Sequence, residues 1–430
     1  MDLETFKTFF SFSDPNIISV VIGAVLLTSS SAVVGIFTFL KKKALVGDAV
    51  AHAVLPGICL AFILSGNKNP VILLIGAFIT GWLSLISLDY ITSKSKLKED
   101  TAIALVLSVF FGVGILLLTY IQHSGNAAQT GLDSFLFGKA AALVGRDLWI
   151  FSGVSVTLLL TVSFFFKELK LIAFDSAFAT SVGLPVRAID QLLTTLTVLA
   201  VVTGIQAVGV VLMAAILITP AAAARFWTHS VFKMTIIAAI MGAFSGLTGA
   251  YVSFIAPAMP TGPWIVMVIS AIALFSFFFA PKRGVVSRYL QQRQLQQSIM
   301  DENLLKELFH IGEVDHQPFK ARSLKAILEE RYFPKNVLLQ SLKRLKTEGY
   351  LTHKNGSWAF TKVGHKKGKR MVKLHRLWEL YLSEYLKIAP DHVHEDAETI
   401  EHVITPEIEA RLEQMLSFPQ EDPHQSSIPY

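Results

Sequence analysis

Apolar positions divide the chain into two regimes. From residue 17 to residue 279 the sequence consists of long apolar runs of about 20 residues, the length that crosses a bilayer as a helix. The pattern predicts about nine spans, at 17–40, 50–66, 70–92, 101–122, 147–166, 190–204, 206–224, 234–254 and 263–280. The stretch GIQAVG separates the short pair at 190–224, so a broken or re-entrant arrangement is the alternative there.

Charged, amphipathic sequence follows the last apolar run. Residues 302–376 have the pattern of three helices and a hairpin, and Asn355-Gly356 is a strong signal for the hairpin turn. This order is typical of a winged helix-turn-helix. We therefore predict a mainly α protein with a polytopic membrane domain at 1–284, a connector at 285–300, a winged helix-turn-helix at 301–372 and a further helical domain at 373–430.

Basic residues indicate the orientation of the predicted spans. They concentrate in alternate loops, around Lys41, Lys94, Lys167, Arg225 and Lys282, and are sparse in the loops between. Because basic loops remain on the cytosolic side, nine crossings place the N-terminus outside and the charged half, from residue 281 onward, in the cytosol.

Two ionisable residues stand at the edge of the second predicted span. In GDAVAHAVLPG, at residues 47–57, Asp48 and His52 are four residues apart and so share one helical face. Ionisable residues at such an edge are costly, which favours a functional role. The structural alternative is an acid near a helix start, stabilised by the helix dipole, with His52 only hydrogen-bonded.

Four motifs of the apolar half occur in the order GDAVAHAVLPG, FDSAFATSVGLPV, VGVVLMAAILITPAAA and PTGPWIV. Together they resemble the metal-ion class of ABC-transporter permeases, which carry zinc, manganese or iron, over about residues 10–285. The resemblance implies a bacterial inner-membrane protein, with Asp48 and His52 at transport-motif positions. It also implies that Asp175, Ala179 and Gly183 lie in the segment that couples to the ATPase.

The same resemblance implies three partners: an ATPase subunit, an extracytoplasmic metal-binding protein, and a second permease chain in a homodimer or heterodimer. The chain itself contains no GxxxxGK[ST] phosphate loop. We therefore expect a transport subunit that is not an enzyme, with ATP hydrolysis in the separate subunit.

Charge is unevenly distributed in the soluble half. Residues 320–376 contain 16 Lys and Arg against three acids, whereas residues 379–422 contain two against 12. A basic stretch supplies phosphate affinity, and with the helix-turn-helix pattern it favours DNA over the alternative, anionic membrane lipid. The candidate DNA-binding residues are those of the third helix and the hairpin: Lys335, Asn336, Gln340, Ser341, Lys343, Arg344 and Lys354.

The acidic part contains residues suited to a metal. His375 and Glu379 are four apart on one helix, and a second helix places His394, Glu398, Glu401 and His402 on one face. Imidazole with carboxylate, without thiolate, favours Mn²⁺ or Fe²⁺, with Zn²⁺ as the alternative. A solvated acidic face with incidental histidines would have the same composition.

The strings HRLWELYL, HEDAETIEHVI and FPQEDPHQSSIP resemble the metal-dependent repressors of the diphtheria-toxin-repressor type, over about residues 300–430. The resemblance implies that Glu398, Glu401 and His402 are helical metal ligands and that the other three residues are further ligands. It also implies a metal-binding and dimerisation domain at 373–430. One departure is in the first helix, where the family often has a ligand and this chain has Asn303 or Lys306.

Three hypotheses for the soluble half remain open. It is a metal-dependent DNA-binding repressor fused to a permease, released by proteolysis in residues 285–300 if membrane tethering prevents its action. Alternatively, it senses cytosolic metal and regulates transport in cis without DNA. In the third hypothesis it is a vestigial tail on a transporter.

Overall fold

The computed structural model describes residues 3–67, 69–123, 145–256, 259–330, 334–388, 402 and 404–430. The chain forms two compact units, residues 1–287 and 288–430. The boundary lies three residues after the predicted end of the membrane domain, within a helix that includes the predicted connector.

The first unit is entirely helical in the residues described. Its helices are α1 (Leu3–Phe10), α2 (Pro15–Leu40), α3 (Val46–Ala53), α4 (Leu55–Ser65), α5 (Pro70–Lys94), α6 (Glu99–His123), α7 (Gly145–Phe164), α8 (Phe166–Phe174), α9 (Ser176–Ser181), α10 (Val186–Val208), α11 (Val210–Arg225), α12 (Val231–Ile255) and α13 (Thr261–Phe279). Local chemistry sets several starts. Asp14 and Asn69 cap α2 and α5 by accepting backbone N–H bonds, and a proline occupies the first position of each helix.

Seven segments of the described chain are long and apolar enough to cross a membrane, with α3 and α4 counted as one. The pair α7 and α8, bent by 68° between residues 148 and 174, is an eighth candidate if it forms one span. The predicted count was nine. The difference lies at two places, the bent pair and α11. The apolar part of α11, Leu212–Arg225, is short because Gly209, at φ 92°, separates it from α10.

Helix α2 lies at the centre of the first unit, with α7, α10, α11 and α12 packed against it. The closest approach is between α2 and α11, where a Cβ atom on Gly35 would lie 1.7 Å from the carbonyl oxygen of Leu217. The hydroxyl of Thr28 on α2 donates a 2.7 Å bond to the carbonyl of Gly242 on α12. Small residues at crossings are how helices associate in a bilayer.

The second unit contains α14 (Val285–Val314, which begins before the boundary), β1 (Arg322–Ser323), α15 (Leu324–Glu330), α16 (Lys335–Thr347), β2 (Leu351–Lys354), β3 (Ser357–Phe360), α17 (Lys362–Tyr385) and α18 (Pro406–Met415). The strands form an antiparallel sheet of order β1-β3-β2, with Leu351 opposite Phe360. Asn355 and Gly356 both have positive φ, as a two-residue hairpin turn requires.

Three apolar clusters hold the described part of this unit together. One joins α14, α15, α16 and the sheet through buried residues that include Leu305, Leu342 and Trp358. The other two pack α18 and the C-terminal segment onto α17, one through Leu374, Ile404 and Leu412 and the other through Leu377, Leu416 and Ile428. The side chains of α17 therefore face both parts of the unit, which places His375 and Glu379 in its interior.

Candidate metal sites and interaction surfaces

Asp48 and His52 face each other on α3. His52 Nε2 lies 3.6 Å from Asp48 Oδ1, and the two side chains are 23% and 43% exposed. The helix breaks immediately afterwards, at Val54, and Pro56 lies in the first turn of α4. The break leaves this pair at the end of a short helix inside the packed bundle.

The imidazole of His52 packs against a neighbouring helix, and its Nδ1 atom is enclosed. Its ring packs edge-on against Phe111 of α6, with ring centroids 5.2 Å apart. Nδ1 is buried and has no hydrogen-bond partner within the described part of the chain. A neutral imidazole next to a carboxylate is a ligand pair suited to a divalent metal.

The predicted coupling segment forms α9 and its flanks. The Asp175 carboxylate caps α9 by accepting the Phe178 N–H at 2.8 Å, and Gly183 ends the segment at φ 86°. Ala179 is fully buried, so it packs inward and does not face a partner. The outward apolar side chains are Phe178 and Val182, which are 54% and 61% exposed.

The predicted DNA-binding residues of α16 separate into two groups. Lys335, Asn336, Gln340 and Lys343 are exposed, as is Lys354 in the hairpin. Of the apolar residues of this helix, Leu338 is buried in the core and Val337 is 42% exposed.

Ser341 and Arg344 instead contact Asp301 of α14. Ser341 is buried, and its hydroxyl donates a hydrogen bond to the Asp301 carboxylate. Arg344 donates two further hydrogen bonds to the same carboxylate, from Nε at 2.9 Å and from a terminal nitrogen at 2.7 Å. This ion pair raises the pKa of Arg344. Both residues therefore hold α16 on α14, and the exposed face is formed without Ser341.

His375 and Glu379 meet inside the second unit. His375 Nε2 lies 3.0 Å from Glu379 Oε1, and the residues are 4% and 2% exposed. Lys306 of α14 is 3% exposed and its Nζ atom lies 3.5 Å from His375 Nδ1. A lysine ammonium has only donors, so this arrangement places a cation beside two predicted ligands.

His402 contacts a residue that the sequence did not single out. Its Nδ1 atom lies 2.7 Å from Glu302 Oε2 of α14, and Lys367 Nζ lies 3.5 Å from the other carboxylate oxygen. Burial favours a higher pKa for Glu302, but the bond to His402 and the charge of Lys367 outweigh it and lower the pKa. The predicted ligands His394, Glu398 and Glu401 lie outside the described residues.

The described members of the predicted ligand set differ in their fit to a metal. His402 and its neighbour Glu302, which was not predicted, supply imidazole nitrogen and carboxylate oxygen, a donor pair that Mn²⁺ and Fe²⁺ accept. His375 and Glu379 share their surroundings with Lys306, which cannot be a ligand while it is charged. Within the described residues, no three His, Cys, Asp or Glu side chains converge on one point as a complete site.

The C-terminal segment is held to α17 by Arg376. This residue is 4% exposed and donates to Glu313 at 3.0 and 2.7 Å and to the Ser427 carbonyl at 2.5 Å. Its Nε atom is 3.5 Å from Asp422. The bonds from Arg376 lower the pKa of Glu313.

Comparison with known proteins gives matches over both units. The model of the ABC 3 transport family matches residues 13–280. The model of the iron dependent repressor, metal binding and dimerisation domain, matches residues 361–430.

Individual relatives extend these matches. The manganese transport system membrane protein MntC of Bacillus subtilis is 43% identical over 376 residues, covering 87% of this chain and 86% of that protein. The zinc transport system membrane protein TroC of Treponema pallidum is 43% identical over 284 residues, covering 66% and 95%. The solved structure of PsaBC from Streptococcus pneumoniae in complex with Fab matches with 34% identity and a TM-score of 0.59, covering 67% of this chain and 99% of that one.

Proposed function

The chain belongs to the ABC 3 transport family, and from that premise we propose that it imports divalent metal, Mn²⁺ in preference to Fe²⁺ or Zn²⁺. It is a multi-pass membrane permease subunit and not an ATPase, and the family implies an ATPase and a binding protein as partners. The preference for Mn²⁺ draws on the chain-long likeness to a manganese transport protein and on the absence of thiolate from both candidate sites.

The observation that carries the proposal is the Asp48 and His52 pair. Two potential ligands lie 3.6 Å apart beside a helix break, within a bundle whose buried residues are mainly apolar. A carboxylate compensates the charge of a cation in a medium where an uncompensated charge is costly. Asp48 would supply that charge and His52 would give selectivity for a transition metal over Ca²⁺ and Mg²⁺.

Coupling to the ATPase would use the outward side chains of α9. Phe178 and Val182 present an apolar contact surface next to the capped start of the helix, and exposed aromatic side chains are typical anchors of an interface. Buried Ala179 would transmit a push on α9 to the helices behind it. The second permease chain, identical or related, would complete the transport pathway.

For the topology we propose nine crossings, with α11 as a shortened one. Arg187 lies in the first turn of α10 and Arg225 ends α11, so a crossing by each helix keeps both basic residues on the same side. The N-terminus would then lie outside the bacterial inner membrane and the second unit in the cytosol.

For the second unit we propose a winged helix-turn-helix followed by a metal-binding and dimerisation domain that regulates transcription. Helices α14, α15 and α16 precede a two-residue hairpin, and four exposed polar or basic residues lie along α16. The alternative is regulation of transport in cis. The Asp301–Arg344 ion pair favours it, because it engages one of the basic residues proposed for the DNA-facing surface.

Transport is tested with the full chain and its ATPase subunit in proteoliposomes, with the binding protein outside. ATP-dependent uptake of ⁵⁴Mn²⁺ is expected to exceed that of ⁶⁵Zn²⁺, and His52→Ala is expected to abolish it. The exposed His123, whose Nδ1 atom bonds its own helix at Thr119, provides the matched His123→Ala control. Equal uptake by the two variants would exclude His52 from the pathway.

The two roles of the second unit are separated with the full chain in nanodiscs. Fluorescence anisotropy with promoter DNA from its own operon, at one stated salt concentration and with or without Mn²⁺, tests the repressor role. Metal-dependent DNA binding supports it. Without DNA binding, a loss of the Mn²⁺ response of uptake on deletion of residues 301–430 would establish regulation in cis.

A further inference from the structure

A buried cation lies where the second unit would be expected to hold part of a metal site. Lys306, His375 and Glu379 are each less than 5% exposed, and they come from two different helices, α14 and α17. Lys306 Nζ is 3.5 Å from His375 Nδ1, at the outer limit of a hydrogen bond, and His375 Nε2 is 3.0 Å from Glu379.

Hydrogen-bond chemistry fixes the roles in this chain of contacts. The Lys306 ammonium can only donate, so His375 Nδ1 must accept. In neutral histidine the proton is then on Nε2, where it donates to the Glu379 carboxylate. Both ring nitrogens are engaged, and neither has a lone pair available for a metal ion.

Charge gives the same result. Glu379 is a buried carboxylate, and a buried charge must be paired or neutralised. The ammonium of Lys306 supplies one positive charge to the buried group that contains Glu379, through His375. A divalent ion in the same place would be repelled by the ammonium and would need to displace it from a site that has almost no access to water.

We propose that the Lys306 ammonium takes the place of a metal ion at His375 and Glu379. This part of the predicted ligand set is then a permanent internal ion group that joins α14 to α17 without metal. The inference deepens the proposed metal-sensing role, because it restricts sensing to the His402 side, where Glu302 of the same helix supplies a carboxylate.

The arrangement also explains the pattern of basic residues on α14 and α17. Lys367 is 3.5 Å from Glu302 and is 33% exposed, so it can move away when a metal arrives at Glu302 and His402. Lys306 is enclosed and cannot do so. One helix, α14, thus carries both the residue that would bind metal and the residue that makes metal unnecessary.

The test is Mn²⁺ stoichiometry of the full chain in nanodiscs, measured by electron paramagnetic resonance of free Mn²⁺ at one pH. His375→Gln is expected to leave the number of bound ions unchanged. Lys306→Met is expected to bind one additional Mn²⁺ per chain, and the double variant to lose it. Lys306→Arg, which keeps the cation, is expected to gain none.

Two outcomes would overturn the proposal: loss of one ion in His375→Gln, or no gain in Lys306→Met with α17 still protected from hydrogen–deuterium exchange. If Lys306→Met unfolds the unit, His375→Gln in the otherwise natural chain still decides. His402→Gln tests the proposed sensing role separately. Loss of one bound Mn²⁺ in this variant supports that role, independently of the result for His375→Gln.

Discussion

The two units each contain a histidine and a carboxylate four residues apart on a helix, and the structure uses them differently. In the membrane unit, His52 and Asp48 are 3.6 Å apart and partly exposed, with an aromatic ring as their neighbour. In the second unit, His375 and Glu379 are 3.0 Å apart and buried, with a lysine as their neighbour.

The difference shows that spacing alone does not make a metal site. Four-residue spacing puts both side chains on one helical face in either unit. The two pairs differ in the residue that another helix places beside them, Phe111 of α6 in one case and Lys306 of α14 in the other. In our proposals, the uncharged neighbour leaves the first pair available to a cation, and the cationic neighbour takes the place of the metal at the second pair.

The largest expected effect comes from removing the lysine beside the buried pair His375 and Glu379. Lys306→Met removes the ammonium from the buried group that contains His375 and Glu379, which is expected to cost about 3–5 kcal/mol of unfolding free energy. This free energy is measured by chemical denaturation of the full chain, with hydrogen–deuterium exchange of the α17 amides as the signal for unfolding. Lys325→Met is the matched control, because Lys325 is 87% exposed in a helical pair with Glu329 and is expected to cost less than about 0.5 kcal/mol. Equal effects of the two substitutions would mean that Lys306 is not part of a buried ion group.

The role of Asp48 and His52 is tested by a conservative substitution of the carboxylate. Asp48→Asn keeps the shape of the side chain but removes the charge that would compensate a cation, so metal uptake is expected to fall about 10- to 100-fold. Initial rates of ⁵⁴Mn²⁺ uptake measure it. Asp89→Asn is the control, since Asp89 is an exposed carboxylate on α5 that only pairs with Lys43 at 3.4 Å. A larger loss for Asp89→Asn would move the cation pathway away from α3.

Transport through the membrane unit requires coupling to the ATPase, and the next prediction concerns Phe178, which we propose contacts that subunit. Phe178→Ala removes an exposed apolar anchor from α9 and is expected to weaken coupling to the ATPase by at least 1 kcal/mol, or about fivefold. Metal-stimulated ATP hydrolysis by the assembled complex reports it. Phe244→Ala on α12 is equally exposed, at 53% against 54%, and is expected to leave coupling unchanged.

The smallest expected effect concerns the ion pairs that hold α18 against α17. Burial favours a higher pKa for Glu409, but hydrogen bonds from Lys373 and Arg370 outweigh it and lower that pKa below its usual 4.5. The same pairing raises the pKa of Lys373 above 10.5. A lowered carboxyl pKa stabilises the fold fully above pH 4.5, and the contribution is lost as pH falls through the folded-state value.

Glu409→Gln should therefore loosen α18 by about 1 kcal/mol at neutral pH, and the difference from the natural chain should shrink in acid. Hydrogen–deuterium exchange of the α18 amides between pH 4 and pH 7, corrected for the pH dependence of intrinsic exchange, measures the loss at neutral pH and its decrease in acid. Glu407→Gln, an exposed acid in the first turn of the same helix, is the control. A pH-independent difference would mean that Glu409 acts through packing.

Much of the fold was predictable because it depends on local pattern. The apolar runs, the Asn355-Gly356 turn and the helix starts are each decided by a few neighbouring residues, and the described elements follow the predicted order. The stretch GIQAVG also indicated a possible break, and the structure has the break at Gly209, the last residue of that stretch. The family and its repressor-type domain were correctly inferred from the motifs and are confirmed by the matches.

The site residues were harder to predict because their roles depend on contacts distant in sequence. Glu302 meets His402 across 100 positions, and Ser341 meets Asp301 across 40. Ala179 of the predicted coupling segment is fully buried, which its position in the sequence did not indicate. Lys306 gave the one usable signal, because a cation at a position where a ligand is expected indicates a change of role.

The break at Gly209 has an electrical consequence. The last carbonyls of α10 and the first amides of α11 have no partner within their own helices, so each end carries about half an elementary charge, negative for α10 and positive for α11. Both ends are buried, at Val208 and Val210. The membrane unit thus contains an internal dipole pair made of backbone alone. Its field depends on the angle that one glycine permits between the two helices.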